Sequence, residues 1–339
     1  MKKTIFIGFP AYNEEDIDLT ITTALSNAKY PENVHFGILL HYTDGNFPDI
    51  SMYPNVKYVK SDYSIGLGTG QSRKIVASLY EDEDYYLQID AHTIFKSNWD
   101  TILIKRHEEL NKLFYKPIIT TLVPTWSKDD FGNILNQDDK KDMSDIEPWG
   151  MTFREINEDI FANTGLPTPH PQKINFKTFY HEQYLIAANF LFTKGTYLEE
   201  IPFDVKIKYH EENITAMRSW TRGYQFFAIK EDTMWTRAMH NKTMPENSWR
   251  NMLSVKDKNN VTFYHLAIEG LLRNKDLLTG KVLGKWGAPS QQDLDDYEEV
   301  SGINYKLFYE QMEQFAKTDK AEYTRARHIY DLERSYNVW

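Results

Sequence analysis

The sequence predicts an α/β fold with a mostly parallel central sheet and a helical C-terminal stretch, and three observations carry this. Short apolar runs alternate with amphipathic helical segments through the first 123 residues. The runs end in polar or glycine-containing turns. From about 247 to 335 apolar residues recur at helical spacing, with breaks at 280–289 and Gly302. Alternation of strands and helices implies parallel pairing with helices on both sheet faces.

The elements follow in order. KTIFIGF at 3–9 reads as a first strand ending at Pro10-Ala11-Tyr12-Asn13-Glu14-Glu15. Asn13 is placed to cap the next helix, whose first turn is acidic and which turns Ile17, Ile21, Ala24, Leu25 and Ala28 inward. VHFGILLHY at 34–42 is a second strand running into Asp44-Gly45-Asn46, and VKYV at 56–59 a third, followed by Ser61-Asp62. Gly66-Leu67-Gly68-Thr69-Gly70 opens a helix over 71–80. It lacks the Gly-Lys-Ser/Thr end of a phosphate loop and does not follow the first strand, so it reads as a flexible lead into the helix. Arg73 lies in the first turn of that helix, where a guanidinium can reach a phosphate, although a solvated surface arginine fits equally.

Residues 85–100, YYLQIDAHTIFKSNWD, are the most informative. A buried strand ends in Asp90-Ala91-His92, and residues two apart on an extended backbone share a face. A carboxylate and an imidazole then meet at the carboxyl end of a strand, where open α/β sheets bind ligands. That pair suits a divalent ion such as Mn²⁺, able to hold a diphosphate. A turn cap beside a satisfied histidine explains the same spacing.

A helix begins near Trp99-Asp100, and PIITTLV at 117–123 reads as a strand. The pattern dissolves over about 125–180, as an insert or lid does. LIAANFLF at 185–192 resumes as a buried strand. Tyr209-His210-Glu211-Glu212-Asn213 opens a helix carrying Ile214, Met217 and Trp220 on one face, and QFFAI at 225–229 and TMWTRAMH at 233–240 are the last strands.

Composition bounds the function. A net charge of −10 over 339 residues gives no general nucleic-acid or anionic-membrane footprint. The sequence has no cysteine, which excludes disulfides and thiolate metal sites. No stretch approaches the roughly 18–20 apolar residues of a membrane span, and the short apolar start is a strand rather than a leader. A cytoplasmic protein is expected.

Pro10-Ala11-Tyr12-Asn13-Glu14 resembles the opening nucleotide-binding segment of GT-A-fold (Rossmann-like) glycosyltransferases. SRKIVASLYEDEDYYLQIDAHTIFKSNWD resembles the central motif of the Skp1-type N-acetylglucosaminyltransferases, which modify hydroxyproline on an F-box adaptor. Ala188-Asn189-Phe190 with Gly195 and Pro202-Phe203-Asp204 resembles that family's acceptor-side strand and loop. His210-Glu211-Glu212-Asn213 with Arg218, Trp220 and Gly223 resembles its Gly-Glu-Glu helix, shared in outline with mucin-type GalNAc transferases, but with histidine where the family has glycine. Gly284-Lys285 and DLDDYEEVSGINY resemble its C-terminal segment.

The resemblance implies Asp90 and His92 as metal ligands with His240 as a third. It implies Pro10, Ala11, Tyr12 and Glu14 around the nucleoside, Asp44 or Asp62 near the base, and Arg73 against the diphosphate. Glu211 and Glu212 would serve the sugar or the acceptor. The expected cofactors are Mn²⁺ or Mg²⁺ and a nucleotide-sugar donor, most simply a UDP-sugar. The expected reaction is transfer to a hydroxyl with retention, on hydroxyproline of a protein or a hydroxymethylated pyrimidine in DNA. The expected organisation is a catalytic domain over 1–245, with the insert at 125–180, and a helical extension over 246–339. A metal-dependent phosphoesterase would also use Asp and His, but leaves the Pro-Ala-Tyr-Asn-Glu start unexplained. A silent nucleotide-binding module is the third reading.

Overall fold

The structure, a computed structural model, describes residues 3–42, 45–61, 66–128, 134–136, 149–237 and 262–336. Asp44, Asp62, His240 and the expected helical start at 247–261 lie outside them.

The N-terminal half runs β1 (Ile5–Tyr12), α1 (Ile17–Asn27), β2 (Val34–His41), β3 (Val56–Ser61), α2 (Thr69–Ala77), β4 (Tyr85–Ile89), β5 (Thr93–Phe95), α3 (Trp99–Asn111) and β6 (Lys116–Thr120). The former "insert" contributes β7 (Thr125–Lys128), β8 (Ile134–Asn136), β9 (Trp149–Phe153), α4 (Glu158–Asn163), β10 (Pro169–Lys173) and β11 (Tyr180–Gln183). Then come β12 (Phe190–Lys194), α5 (Tyr197–Glu200), α6 (Glu212–Trp220), β13 (Tyr224–Ile229) and β14 (Met234–Arg237). Helices α7 (Phe263–Leu278), α8 (Gln291–Ser301), α9 (Tyr305–Ala316) and α10 (Arg325–Tyr336) complete the chain.

Among the described residues the central sheet has eight strands, in the order β11-β13-β6-β12-β4-β1-β2-β3. Pairs β1–β2, β2–β3, β1–β4 and β6–β13 are parallel, while β12 runs antiparallel between β4 and β6. The chain leaves β1 toward β2 and β3 and then returns to place β4 on the other side of β1. That reversal between β1 and β4 is the topological switch point at which open sheets bind ligands.

β1 alternates between two cores. Ile5, Ile7, Phe9 and Ala11 join the core under α1 and α3, and Phe6 joins the core under α2, α6 and the C-terminal helices. β1 extends three residues beyond the strand expected to stop at Phe9. Proline lacks a ladder donor and is tolerated where a strand has one free side. β1 pairs with β4 only up to Gly8↔Gln88 but with β2 as far as Tyr12↔His41, so Pro10 sits on the side that β4 has left. The same divergence opens a crevice at the carboxyl ends of β1 and β4.

Asn13 does not cap α1. It turns the chain with φ +44° and donates its N–H to the His41 carbonyl at 2.9 Å, and the helix starts after Asp16. The strand expected over 185–192 forms only from Phe190. Residues 185–187 are buried by packing, and the Ala188 carbonyl is used by side chains instead of a ladder.

The glycines before α2 serve close packing. Gly68 has φ +79°, and a β-carbon on Gly70 would lie 2.0 Å from the Asp204 carbonyl oxygen. The Thr69 and Gly70 N–H groups donate to the carbonyls of Lys208 and Ile207 at 3.3 and 2.9 Å. The first donors of α2 are therefore taken by the 204–208 segment and do not form a phosphate nest.

Side-chain caps start three C-terminal helices: Thr262, Ser290 and Asn304 each accept from the backbone N–H of the third residue of α7, α8 and α9. α4 packs on them through Phe161, whose ring meets Phe308 at 5.3 Å. No helix among the described residues is long and apolar enough to cross a membrane.

Candidate active site

Asp90 and His92 stand at the carboxyl end of β4, beside the switch point. Their approach comes from a turn, not from strand periodicity: Ala91 and His92 have left the extended conformation. Side-chain hydroxyls fix that turn. Thr20 Oγ1 donates to the Ala91 carbonyl at 2.8 Å and accepts from the Thr93 N–H at 3.1 Å, and Thr93 Oγ1 donates to the Asp90 carbonyl at 2.8 Å. The His92 carbonyl accepts from indole Nε1 of fully buried Trp126 at 3.1 Å and from the Arg237 N–H at 3.0 Å. β7 and β14, parts of a small second sheet, thus hold the turn from outside.

His92 Nδ1 lies 2.8 Å from Glu14 Oε2, and Nε2 lies 3.8 Å from Asp90 Oδ2. With Nδ1–H donated to a carboxylate, Nε2 is the nitrogen turned to Asp90, an assignment that follows from the hydrogen-bond network. Glu14 was expected against the nucleoside; its carboxylate instead orients the imidazole, because the turn at Asn13 brings it back over β4. Burial disfavours the Glu14 carboxylate, but the hydrogen bond to His92, with Asp16 N–H and Arg237, holds its pKa below the ordinary range. Burial likewise disfavours the imidazolium, and Glu14, Asp90 and Asp16 outweigh it to raise the His92 pKa. Arg237 in turn bonds Glu15 at 2.8 Å and Asp16 at 2.7 Å.

Asp90 and His92 fit a divalent cation by the chemistry of the donor set: a carboxylate oxygen, and an imidazole nitrogen whose other nitrogen is anchored. Among the described residues no group of three His, Asp or Glu side chains has the arrangement to hold a metal ion, and the third expected ligand, His240, lies outside them.

Arg73 lies in the second turn of α2 and is buried, not solvated: it is 6% exposed. Its Nε donates to Glu211 Oε1 at 2.9 Å and Nη2 to the Ala188 carbonyl at 3.2 Å. Gln88 of β4 donates to the same carbonyl at 2.8 Å. Burial opposes the guanidinium charge, and Glu211, Tyr86 and Asp90 restore it. Nη1 is buried without a partner among the described residues, as is Oδ1 of Asn189, the residue after Ala188.

Glu211 and Glu212 open α6. Glu212 is affected by desolvation first, then by Glu211 and Asp90, and its pKa is pushed up to about 8. Glu212 therefore keeps its proton at neutral pH. His210 precedes it with φ +56°, in the region that favours glycine. The glycine that the resemblance implies at this position would adopt such a turn without strain. Burial and Arg325 push the His210 pKa down to about 3, so it is neutral.

The Glu212 proton has a measurable consequence. An unfolded glutamic acid titrates near 4.3, so between about 4.3 and 8 the folded chain binds more protons than the unfolded one. Stability from this group is complete below the unfolded value and is lost as pH rises through about 8. Glu212→Gln is expected to flatten that arm of the curve. Urea denaturation of both proteins at pH 5, 6.5 and 8 checks it; parallel curves would mean that Glu212 is ionised in the folded chain.

Beside these residues is a cavity of about 190 Å³ bordered by Pro10, Tyr12 and His41 at the ends of β1 and β2, by Gly66–Thr69 and Ser72, and by Lys208, Tyr209 and Phe263. It joins the other groups through α2, which gives Ser72 to the cavity and Arg73 to the acidic pair. Ala11 points into the opposite core and is not on its wall. A cavity of about 540 Å³ lies beyond Lys208, between the 205–208 segment and α7, where Arg273 pairs with Asp204 and Lys281 with Asp276.

The sequence had given no sign of Glu14 as partner of His92, of Trp126 and Arg237 behind the turn, or of Lys208, Tyr209 and Phe263 on the cavity. A carboxylate two residues past the end of a proline-containing strand was the available signal for the first.

The family described as Glycosyltransferase (GlcNAc) matches residues 48–306. Among solved structures, GalNAc-T7 with UDP, GalNAc and Mn²⁺ superposes with a TM-score of 0.52 at 12% identity, covering 91% of this chain and 57% of that one. The chain thus spans little more than half of GalNAc-T7. S. aureus TarS 1–349 in complex with UDP-GlcNAc superposes with a TM-score of 0.44 at 12% identity, covering 99% and 92%. Comparison with curated proteins gives no match. The sheet order and the GalNAc-T7 superposition agree on a GT-A fold.

Proposed function

The chain belongs to the glycosyltransferase (GlcNAc) family, and from that premise we propose that it transfers a sugar from a UDP-sugar to a hydroxyl at the β4 strand end. The observation that carries this is the Asp90–His92 pair at the switch point, its imidazole oriented by Glu14, beside a cavity too small for a whole nucleotide sugar. Pockets that enclose such ligands span roughly 300–1,000 Å³, whereas this one holds about 190 Å³. A base and ribose fit there, and the diphosphate then extends along α2 toward Arg73 and Asp90.

Asp90 and His92, with His240 as the resemblance implies, would hold Mn²⁺ or Mg²⁺. When bound, such a cation offsets charge on the departing diphosphate. Among the described residues no acceptor pairs with the buried Arg73 Nη1, so a phosphate oxygen that reaches it can accept from that N–H without breaking the bond to Glu211. Charge-assisted contacts of this kind strengthen as the leaving group gains charge. Glu211 is committed to Arg73. Glu212, protonated at neutral pH, donates a hydrogen bond to a sugar hydroxyl or phosphate. Neither carboxyl is then a free base for the acceptor, which supports retention, with the leaving phosphate taking the acceptor's proton.

The acceptor we propose is a protein hydroxyl of the hydroxyproline kind, in the cytoplasm. Modified DNA is the weaker choice, because phosphate binding needs clustered cations and the net charge is −10.

A panel of UDP-sugars incubated with Mn²⁺ and hydroxyproline peptides tests the proposal through released UDP and peptide mass. One donor should release UDP in an acceptor-dependent manner and stop on chelation. Release at the same rate without any acceptor would instead favour hydrolysis, and release untouched by chelators would remove the cation.

A further inference from the structure

We propose that the C-terminal helices build one wall of the nucleobase pocket, with Phe263 and Tyr209 as the faces against which the base lies. This rests on the donor reading above and adds to it: the helical stretch is then part of the donor site and not an appendage.

The two sides of the 190 Å³ cavity have different origins. Pro10, Tyr12 and His41 come from the sheet, as expected at a switch point. The opposite side is Phe263, the first residue of α7, and Lys208–Tyr209 from the segment before α6. That segment is tied to the C-terminal helices. Asn274 of α7, fully buried, donates to the carbonyls of Tyr209 and His210 at 3.1 and 3.2 Å. Gly270, one turn earlier, approaches Lys208 so closely that a β-carbon there would lie 2.8 Å from the Lys208 nitrogen. The Arg325 guanidinium of α10 lies 5.2 Å from the Tyr209 ring centre. From the other side, α2 takes the Lys208 and Ile207 carbonyls. The wall is thus clamped between α2 and α7.

The chemistry of the lining selects the occupant. Tyr12, His41, Tyr209 and Phe263 line it with aromatic side chains, Leu67 adds an aliphatic side, and Lys208, the one lysine or arginine among its described lining residues, already donates to the Leu67 carbonyl at 3.2 Å. Such a space suits a planar, uncharged heterocycle, and stacking on aromatic side chains is tolerant of which base is offered. The phosphates are excluded from it and left to Arg73.

UDP titrated calorimetrically, with Mn²⁺ present, into the full-length wild type, Phe263→Ala, Phe263→Tyr and Phe263→Leu tests the wall. Phe263→Ala should bind UDP about tenfold more weakly or worse with thermal unfolding still cooperative, and Phe263→Tyr should bind close to wild type. A folded Phe263→Ala with unchanged affinity overturns the proposal. Where the alanine variant does not fold, leucine against tyrosine decides: leucine keeps bulk without a ring and should bind more weakly, and equal binding overturns the proposal. A wild type that binds no UDP defeats the donor reading instead, so the two failures are distinct.

Discussion

Arg73→Ala is expected to lose about 3–5 kcal/mol of folding stability and to reduce transfer by about 10²–10³-fold or more. The stability loss follows from what the arginine leaves behind. Glu211 is 7% exposed and its Oε1 is 2.9 Å from Arg73 Nε, so removal strands a buried carboxylate. The Ala188 carbonyl loses one of its two donors but keeps Gln88. Taking away the other charge as well should reverse most of the loss, since a buried pair is often matched by apolar residues of similar volume. Arg73→Met with Glu211→Leu should therefore unfold near the wild-type urea midpoint while remaining inactive. Urea denaturation of the two single variants and the double variant, with UDP release measured on each, separates the roles. A single variant that loses less than about 1 kcal/mol would place the pair in solvent and remove the buried-charge account.

The course of the chain was legible where one physical signal dominated. Buried strands such as Tyr85–Ile89 and Tyr224–Ile229 are largely apolar runs, and Gly302, read as a break between C-terminal helices, is the left-handed C-cap of α8. The 125–180 stretch was opaque for a physical reason. Its strands are short and draw their stability from partners far away: Thr125 and Trp126 pair with Thr236 and Arg237, and α4 rests on α9 and α10. No local periodicity records such pairing. Strand ends were misjudged for a similar reason, since the extent of β1 depends on where β4 diverges from it.

At the candidate site the sequence names residues but not their connections. Asp90, His92, Arg73, Glu211 and Glu212 stand within one electrostatically coupled group. Glu14 belongs to it as the partner of His92, a role set by the left-handed turn at Asn13 that no spacing rule anticipates. The glycines before α2, tempting as a phosphate loop, instead allow the 204–208 segment to approach, and that segment becomes the far wall of the cavity. A motif's neighbours in space decided its role in each case.

Asp90→Ala and His92→Ala are expected to abolish transfer alike while differing in stability, and the contrast tests whether the pair acts together. The Asp90 side chain is 36% exposed and its nearest ion partner is His92 at 3.8 Å. Removing it should change stability by no more than about 0.5 kcal/mol, as for other exposed positions. His92 is 15% exposed and satisfies Glu14, itself 14% exposed. Its removal leaves a half-buried carboxylate unpaired, which costs about 1–3 kcal/mol. Glu14→Ala should fall between in activity: both donors remain, but nothing fixes which imidazole nitrogen faces Asp90, and loss of such an orienting partner typically lowers metal affinity about 10–100-fold. Mn²⁺ titration followed by electron paramagnetic resonance reads that affinity without turnover. Undiminished Mn²⁺ binding in Asp90→Ala and His92→Ala, or full activity in either, would show that the strand-end pair does not hold the donor's diphosphate, whatever the rest of the cleft does.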